Sequence, residues 1–165
     1  MKKKIKVGIT GGTFSLLHTG HKHLLRKASE VVDSLIIGVT SDQFVKKMNK
    51  DHPVEPFSKR VKRLIEFLRE EGILERCKVV EIDDFMGPAG RMKELDVIVV
   101  TDETLSGALE INAHRVKQGL RPLTIITVDA VLDERGIPLS STKLWIRDFL
   151  LKDKRTGIVP GHKPK

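Results

Sequence analysis

The sequence predicts an α/β fold: a doubly wound, Rossmann-like sheet of five parallel strands with helices on both faces. Three observations carry this. Short β-branched runs alternate with longer amphipathic stretches along the chain. The strand runs are apolar throughout rather than at every second position, as strands covered on both faces must be. The length of 165 residues, 39% hydrophobic and 32% charged, suffices for one core but not for two full domains. Right-handed crossovers between parallel strands then favour double winding.

Residues 4–10, Lys-Ile-Lys-Val-Gly-Ile-Thr, read as the first strand. A helix over 19–32 places Leu24, Leu25, Ala28, Val31 and Val32 on one face. Residues 34–40, Ser-Leu-Ile-Ile-Gly-Val-Thr, form a buried strand, and Ser41 and Asp42 are suited to cap a short helix. Lys50 to Pro56 holds two prolines and reads as a loop. A helix follows over 58–71, with Val61, Leu64, Ile65 and Leu68 aligned and Gly72 closing it. The third strand is 77–82, and Gly87-Pro88-Ala89-Gly90 marks a turn within Asp83 to Arg91. A fourth strand at 95–101, a helix at 103–119, a fifth strand at 123–128 and a last helix at 141–151 complete residues 1–152. The tail 153–165, with two glycines, two prolines and four basic residues, is expected to fray.

The composition removes several classes. No run approaches the roughly 18 apolar residues of a membrane-spanning helix. The start, Met1-Lys2-Lys3-Lys4-Ile5-Lys6, lacks the apolar core of a secretory signal, and Cys77 is the single cysteine, so a reducing cytoplasmic setting is expected. No Cys and His cluster has zinc-ligand spacing. The net charge of +8 suggests nucleic acid, but its distribution argues against it. Residues 2–6 supply +4 and residues 152–165 another +4, leaving 21 basic and 21 acidic residues in 7–151. With six Phe, one Trp and no Tyr, there is little aromatic surface on which bases stack.

In a doubly wound sheet ligands bind beyond the carboxyl ends of the strands. The segments to search are therefore Thr10 to His21, Val39 to Lys47, Val100 to Thr104 and Val128 to Thr142. The first is the most informative: Gly11-Gly12-Thr13-Phe14-Ser15-Leu16-Leu17-His18-Thr19-Gly20-His21. It is neither G-x-G-x-x-G nor a Walker A loop. It still has the marks of a phosphate site. Gly11 and Gly12 let backbone N–H groups approach a ligand, and Thr13 adds a hydroxyl. His18 and His21 share one side of a first helical turn, whose positive end favours anions. Gly20 removes a Cβ where a nucleotide would pack. His23 falls outside this spacing and reads as a packing or surface residue.

The strand, the Gly-Gly-Thr-Phe turn and His18-Thr19-Gly20-His21 resemble the nucleotidyltransferase superfamily with its H-x-G-H signature. A second superfamily motif is matched by Leu139-Ser140-Ser141-Thr142-Lys143-Leu144-Trp145, with Trp145 where Arg is frequent. No phosphate role is carried to Trp145, which reads as core. Further segments resemble the phosphopantetheine adenylyltransferases of archaea and the matching domain of eukaryotic coenzyme A synthase. They are Gly38-Val39-Thr40-Ser41-Asp42, Pro56-Phe57-Ser58-Lys59-Arg60 and Val100-Thr101-Asp102-Glu103-Thr104, the last running on through Gly107-Ala108, Ile111-Asn112, Arg115 and Gly119-Leu120.

The resemblance implies transfer of AMP from ATP to 4′-phosphopantetheine, with Mg²⁺ held mainly by the ATP phosphates and no protein metal site. His18 and His21 would then donate to phosphate oxygens, and Thr13 would bond between the reacting phosphates. Gly11, Gly12, Phe14 and Gly20 would line the nucleotide. Ser140, Ser141 and Thr142 would meet the outer phosphates, although they also suit helix capping. Lys46, Lys47 and Arg60 are candidates for the acceptor phosphate, and each also reads as a solvated or capping side chain. Glu103 would bind the ribose or a pantetheine amide, or act only as a helix-start acid. Two rival readings remain. One is a cytidylyltransferase for polyol or choline phosphate, or an FMN adenylyltransferase. The other is a non-catalytic nucleotide- or RNA-binding module that uses the basic ends.

Overall fold

The computed structural model describes residues 5–50 and 52–137. The expected last helix and tail, with Ser140, Ser141, Thr142 and Trp145, lie outside them. Five parallel strands form one sheet: β1 (Val7–Gly12), β2 (Ser34–Thr40), β3 (Cys77–Ile82), β4 (Val97–Val100) and β5 (Thr124–Thr127), in the order β3-β2-β1-β4-β5. The helices are α1 (Thr19–Val31), α2 (Asp42–Lys47), α3 (Phe57–Glu70) and α4 (Leu105–Lys117). The expected α/β architecture is therefore present, with boundaries moved by a few residues. Short 3-10 turns that periodicity does not announce occur at Ser15–Leu17, Leu74–Arg76, Gly87–Gly90 and Asp102–Thr104.

Alternate residues of each strand feed two cores, as the pleat requires. Leu35, Ile37, Val39, Val97 and Val99 pack on α1 (Leu24, Leu25, Ala28) and α3 (Leu64, Phe67, Leu68). Ile9, Ile36, Ile98 and Val100 pack on the other face with Ala89, Leu95 and, from α4, Ala108 and Ile111. Phe67 joins the α3 face that was read from Val61, Leu64, Ile65 and Leu68.

The register creates the opening. β1 pairs with β2 up to Gly12↔Val39 but with β4 only through Gly8↔Val97 and Ile9↔Ile98. β4 keeps pairing with β5 up to Val100↔Thr127. The central strands thus part at their carboxyl ends, where the strand order reverses.

Candidate active site

A cleft of about 460 Å³ fills that opening. Its walls come from four places: Gly11–Ser15 at the end of β1 and beyond it, with His18, Gly20 and His21 of the α1 start; Thr40 at the end of β2 with Met48, Lys50 and His52 beyond it; Thr101–Thr104 after β4; and Val128–Val131 after β5.

The two histidines are fixed by the helix they begin. His18 is the residue before α1, and its Nδ1 accepts from the backbone N–H of Gly20 at 3.0 Å and of His21 at 3.4 Å. His21 Nδ1 accepts from the His18 N–H at 3.3 Å. This is a capping box built from two imidazoles, in which each ring satisfies N–H groups the first turn leaves open. The rings stack with centroids 3.7 Å apart and planes 18° apart. Gly20 is needed for this seat, because a Cβ there would lie 2.8 Å from His18 Cε1.

The arrangement sets the charge and tautomer of both rings. Burial lowers the His18 pKa. Burial first, then the neighbouring His18 and Lys50, push His21 down to about 3. Both imidazoles are neutral near pH 7, and because each Nδ1 accepts a backbone N–H, Nε2 carries the proton. The cleft therefore holds two neutral N–H donors, fixed in place by the helix start they cap.

The turn before them is strained. Phe14, Leu16 and Leu17 have φ of 53°, 61° and 35°, in a region unfavourable to side chains with a Cβ. Two residues from outside hold it. The Glu55 carboxylate accepts from Leu16 N–H at 3.2 Å and from the Ser15 hydroxyl at 3.4 Å. The Arg60 guanidinium donates to the carbonyls of Thr13 (2.9 Å), Thr40 (2.8 Å) and Glu55 (2.8 Å) and pairs with Asp42 at 3.0 Å. Phe14 is buried, with its ring 5.3 Å from that of His21.

Of the residues read from the sequence, Gly11, Gly12, Thr13, Phe14, His18, Gly20, His21 and Glu103 all line the cleft. Three do not. Arg60 is 1% exposed and lies beneath the strand ends, its donors spent on backbone carbonyls and Asp42, so the phosphate role expected of it is corrected to a supporting one. Lys46 and Lys47 are exposed on α2 and do not line the cleft, because that six-residue helix ends before the chain turns back to it. Lys50, just beyond, does line it and is the only Lys or Arg that does so among the described residues. Sequence reading also missed His52, Thr40 and Asp129. The signal for Lys50 was there: the segment after β2 needed extending by three residues beyond Lys47. Among the described residues no group of three or more His, Cys, Asp or Glu is gathered to hold a metal.

A strand-turn-helix with paired histidines at the switch point defines a nucleotidyltransferase-type site. The chain belongs to the cytidylyltransferase-like family, whose sequence model matches residues 9–147. Within it, the chain is 43% identical to the phosphopantetheine adenylyltransferase of Methanopyrus kandleri, over 82% of this chain and 86% of that protein. It is 40% identical to the phosphopantetheine adenylyltransferase of Pyrococcus furiosus, over 86% and 88% respectively. Among solved structures, a protein of unknown function from Archaeoglobus fulgidus superposes with a TM-score of 0.67 at 30% identity, covering 82% of this chain and all of that one.

Proposed function

We infer that this chain transfers AMP from ATP to 4′-phosphopantetheine, giving dephospho-coenzyme A and pyrophosphate in coenzyme A biosynthesis. The observation that carries this reading is the pair of neutral imidazoles presenting Nε2–H in the cleft of a chain closely related to phosphopantetheine adenylyltransferases. A phosphate oxygen of the acceptor attacks the α-phosphorus of ATP, and the bond to the bridging oxygen of pyrophosphate breaks. The attacking oxygen is already anionic, so no strong base is needed. The barrier lies in bringing polyanions together and in the charge gathered around the five-coordinate phosphorus.

The residues suit that demand. His18 and His21 donate to oxygens of the α- and β-phosphates as charge builds there. A neutral donor in a half-buried site gains most when charge develops, and it does not hold the product pyrophosphate as a fixed cation would. Lys50 supplies the positive charge that draws the two anions together. Thr13 donates between the reacting phosphates, and the N–H groups after β1 line the nucleotide. Glu103 is assigned to the ribose or a pantetheine amide, and Ser140, Ser141 and Thr142 to the outer phosphates. Mg²⁺ held by the ATP phosphates rather than by the protein would neutralise part of the triphosphate charge. The setting is the cytoplasm; no helix among the described residues is long and apolar enough to cross a membrane.

The test is incubation with ATP, Mg²⁺ and 4′-phosphopantetheine, with dephospho-coenzyme A followed by mass spectrometry. Parallel runs use glycerol 3-phosphate with CTP, and FMN with ATP. Product in the first run alone is expected. Turnover only in a parallel run reassigns the acceptor, and ATP binding with no turnover in any run removes the enzymatic reading.

A further inference from the structure

A threonine hydroxyl accepts a hydrogen bond as readily as it donates one. For Thr13 to help a phosphate, its proton must point toward the cleft, and the groups behind it decide that. Thr40 Oγ1 donates to Thr13 Oγ1 at 3.1 Å, and Thr40 is 3% exposed. Arg60 Nη1 lies 3.4 Å from the same Thr40 oxygen. A guanidinium only donates, so the Thr40 proton cannot go to Arg60. Had Thr40 accepted from Thr13 as well, its own proton, on a residue at the cleft wall that is only 3% exposed, would have no acceptor among the described residues, an arrangement buried hydroxyls avoid. The polarity therefore runs one way, from Arg60 through Thr40 to Thr13, and the Thr13 proton is left for the cleft.

We propose that Arg60 and Thr40 are positioning residues that form a one-way hydroxyl relay, making Thr13 an obligatory hydrogen-bond donor to an ionised phosphate oxygen in the cleft. The proposal rests on the nucleotidyl-transfer reading of that site. The same guanidinium holds the carbonyls of Thr13 and Thr40 at 2.9 and 2.8 Å, so it fixes the backbone of both relay members as well as the direction of the bond between them. Arg60 is itself held by the Glu55 carbonyl and Asp42, which leaves the relay no second arrangement among these partners. The ligand atom that fits a donor whose accepting side is already occupied is one that only accepts, as an ionised phosphate oxygen does.

Thr40→Val keeps the side-chain shape and removes the relay, whereas Thr40→Ser keeps the hydroxyl. Thr40→Val should lower kcat about tenfold or more and weaken ATP binding, measured by calorimetry, about fivefold, while Thr40→Ser stays within about threefold of wild type in both. In a Thr13→Val background, Thr40→Val should cost less than about threefold more, because the donor it orients is already gone. Should Thr40→Val not fold, Thr40→Ala carries the same comparison with Thr40→Ser. A Thr40→Val protein with kcat within about threefold of wild type, or losses at the two sites that multiply, overturns the relay. If the wild-type chain binds ATP but transfers nothing to 4′-phosphopantetheine, the transfer reading falls by itself. The relay is then judged on ATP affinity, where Thr13→Val and Thr40→Val should weaken binding alike and Thr40→Ser restore it. Equal affinity of Thr40→Val and wild type overturns it there, and a wild-type chain that binds no ATP overturns both.

Discussion

Among the described residues two arginines are buried, and they differ in what they hold. Arg60, at the start of α3, ties together the ends of β1 and β2 beside the cleft and faces Asp42 at 3.0 Å. Arg115, on α4, is 0% exposed and donates to the carbonyls of Ala89, Met92 and Arg121 at 2.8–2.9 Å. Among the described residues it has no carboxylate at ion-pair distance, and its Nη2 has no hydrogen-bond partner. Burial, with Arg121 nearby, lowers its pKa from the usual arginine range. Both guanidiniums use their planar fork to satisfy loop carbonyls that would otherwise be stranded. The same device serves two ends. Arg60 holds residues that line the cleft, and Arg115 pins the turn after β3 on the far face. Changes around the first should therefore appear in turnover, and changes around the second in stability.

The largest expected effect sharpens the cleft side. His21→Ala removes one of the two discharged donors and should lower kcat by about 10²–10³, with ATP affinity changed only a few-fold. Steady-state kinetics beside calorimetry reads this. A variant within a few-fold of wild type in kcat would remove the electrostatic role. On the other side, Arg115→Met leaves the carbonyls of Ala89, Met92 and Arg121 without their partner. At about 1–3 kcal/mol for each stranded group, partly offset by no longer burying a charge, the fold should lose about 3 kcal/mol. Denaturant unfolding measures that loss, and kcat at a temperature where the variant is folded should stay within about twofold. A large fall in kcat with unchanged stability would break the contrast between the two arginines.

Acid separates the two regions in another way. The ordinary histidine value is 6.5, and in the fold His21 sits at about 3. Between these values only the unfolded chain takes up the proton. The stability contribution is therefore complete above about pH 6.5 and falls as pH drops toward 3, by up to about 1.4 kcal/mol per unit. His18, lowered by burial, acts in the same direction. Unfolding curves between pH 6.5 and 4.5 should be less steep in pH for His21→Asn than for wild type, while Arg115→Met should keep the wild-type slope. Equal slopes for His21→Asn and wild type would show that the ring is not held neutral.

Much of this was legible in the sequence, and the missing parts have physical causes. Alternation and whole-length apolar strands were enough for the sheet, and the spacing of His18 and His21 after a glycine turn placed them at its open edge. The left-handed Leu16 and Leu17 were not legible, since Leu carries no turn signal and the conformation depends on Glu55, some forty residues away. The buried arginines left a signal in their helical spacing that the sequence reading did not use. Arg60 falls on the same face of α3 as Leu64 and Leu68, and Arg115 on that of Ala108 and Ile111. A charge on a core-facing stripe means an arginine with carbonyl partners, and the expectation that charges face water hid it.

Lysines around the cleft give the smallest effect and the finest discrimination. Lys46, Lys47 and Lys50 stand within five residues of one another, and only Lys50 lines the cleft. Its charge already helps depress the His21 pKa, so it acts on whatever occupies the same space. Lys50→Ala should raise KM for the anionic substrates about tenfold at low salt, with less loss at high salt because screening weakens the wild-type attraction. Lys46→Ala and Lys47→Ala, on the solvated side of α2, should each stay within about twofold. Measured side by side, the three variants test position against composition. Equal losses at all three would mean that a diffuse basic patch draws the substrates in. A loss at Lys50 alone means that one ammonium, carried past the end of a short helix, meets the phosphates.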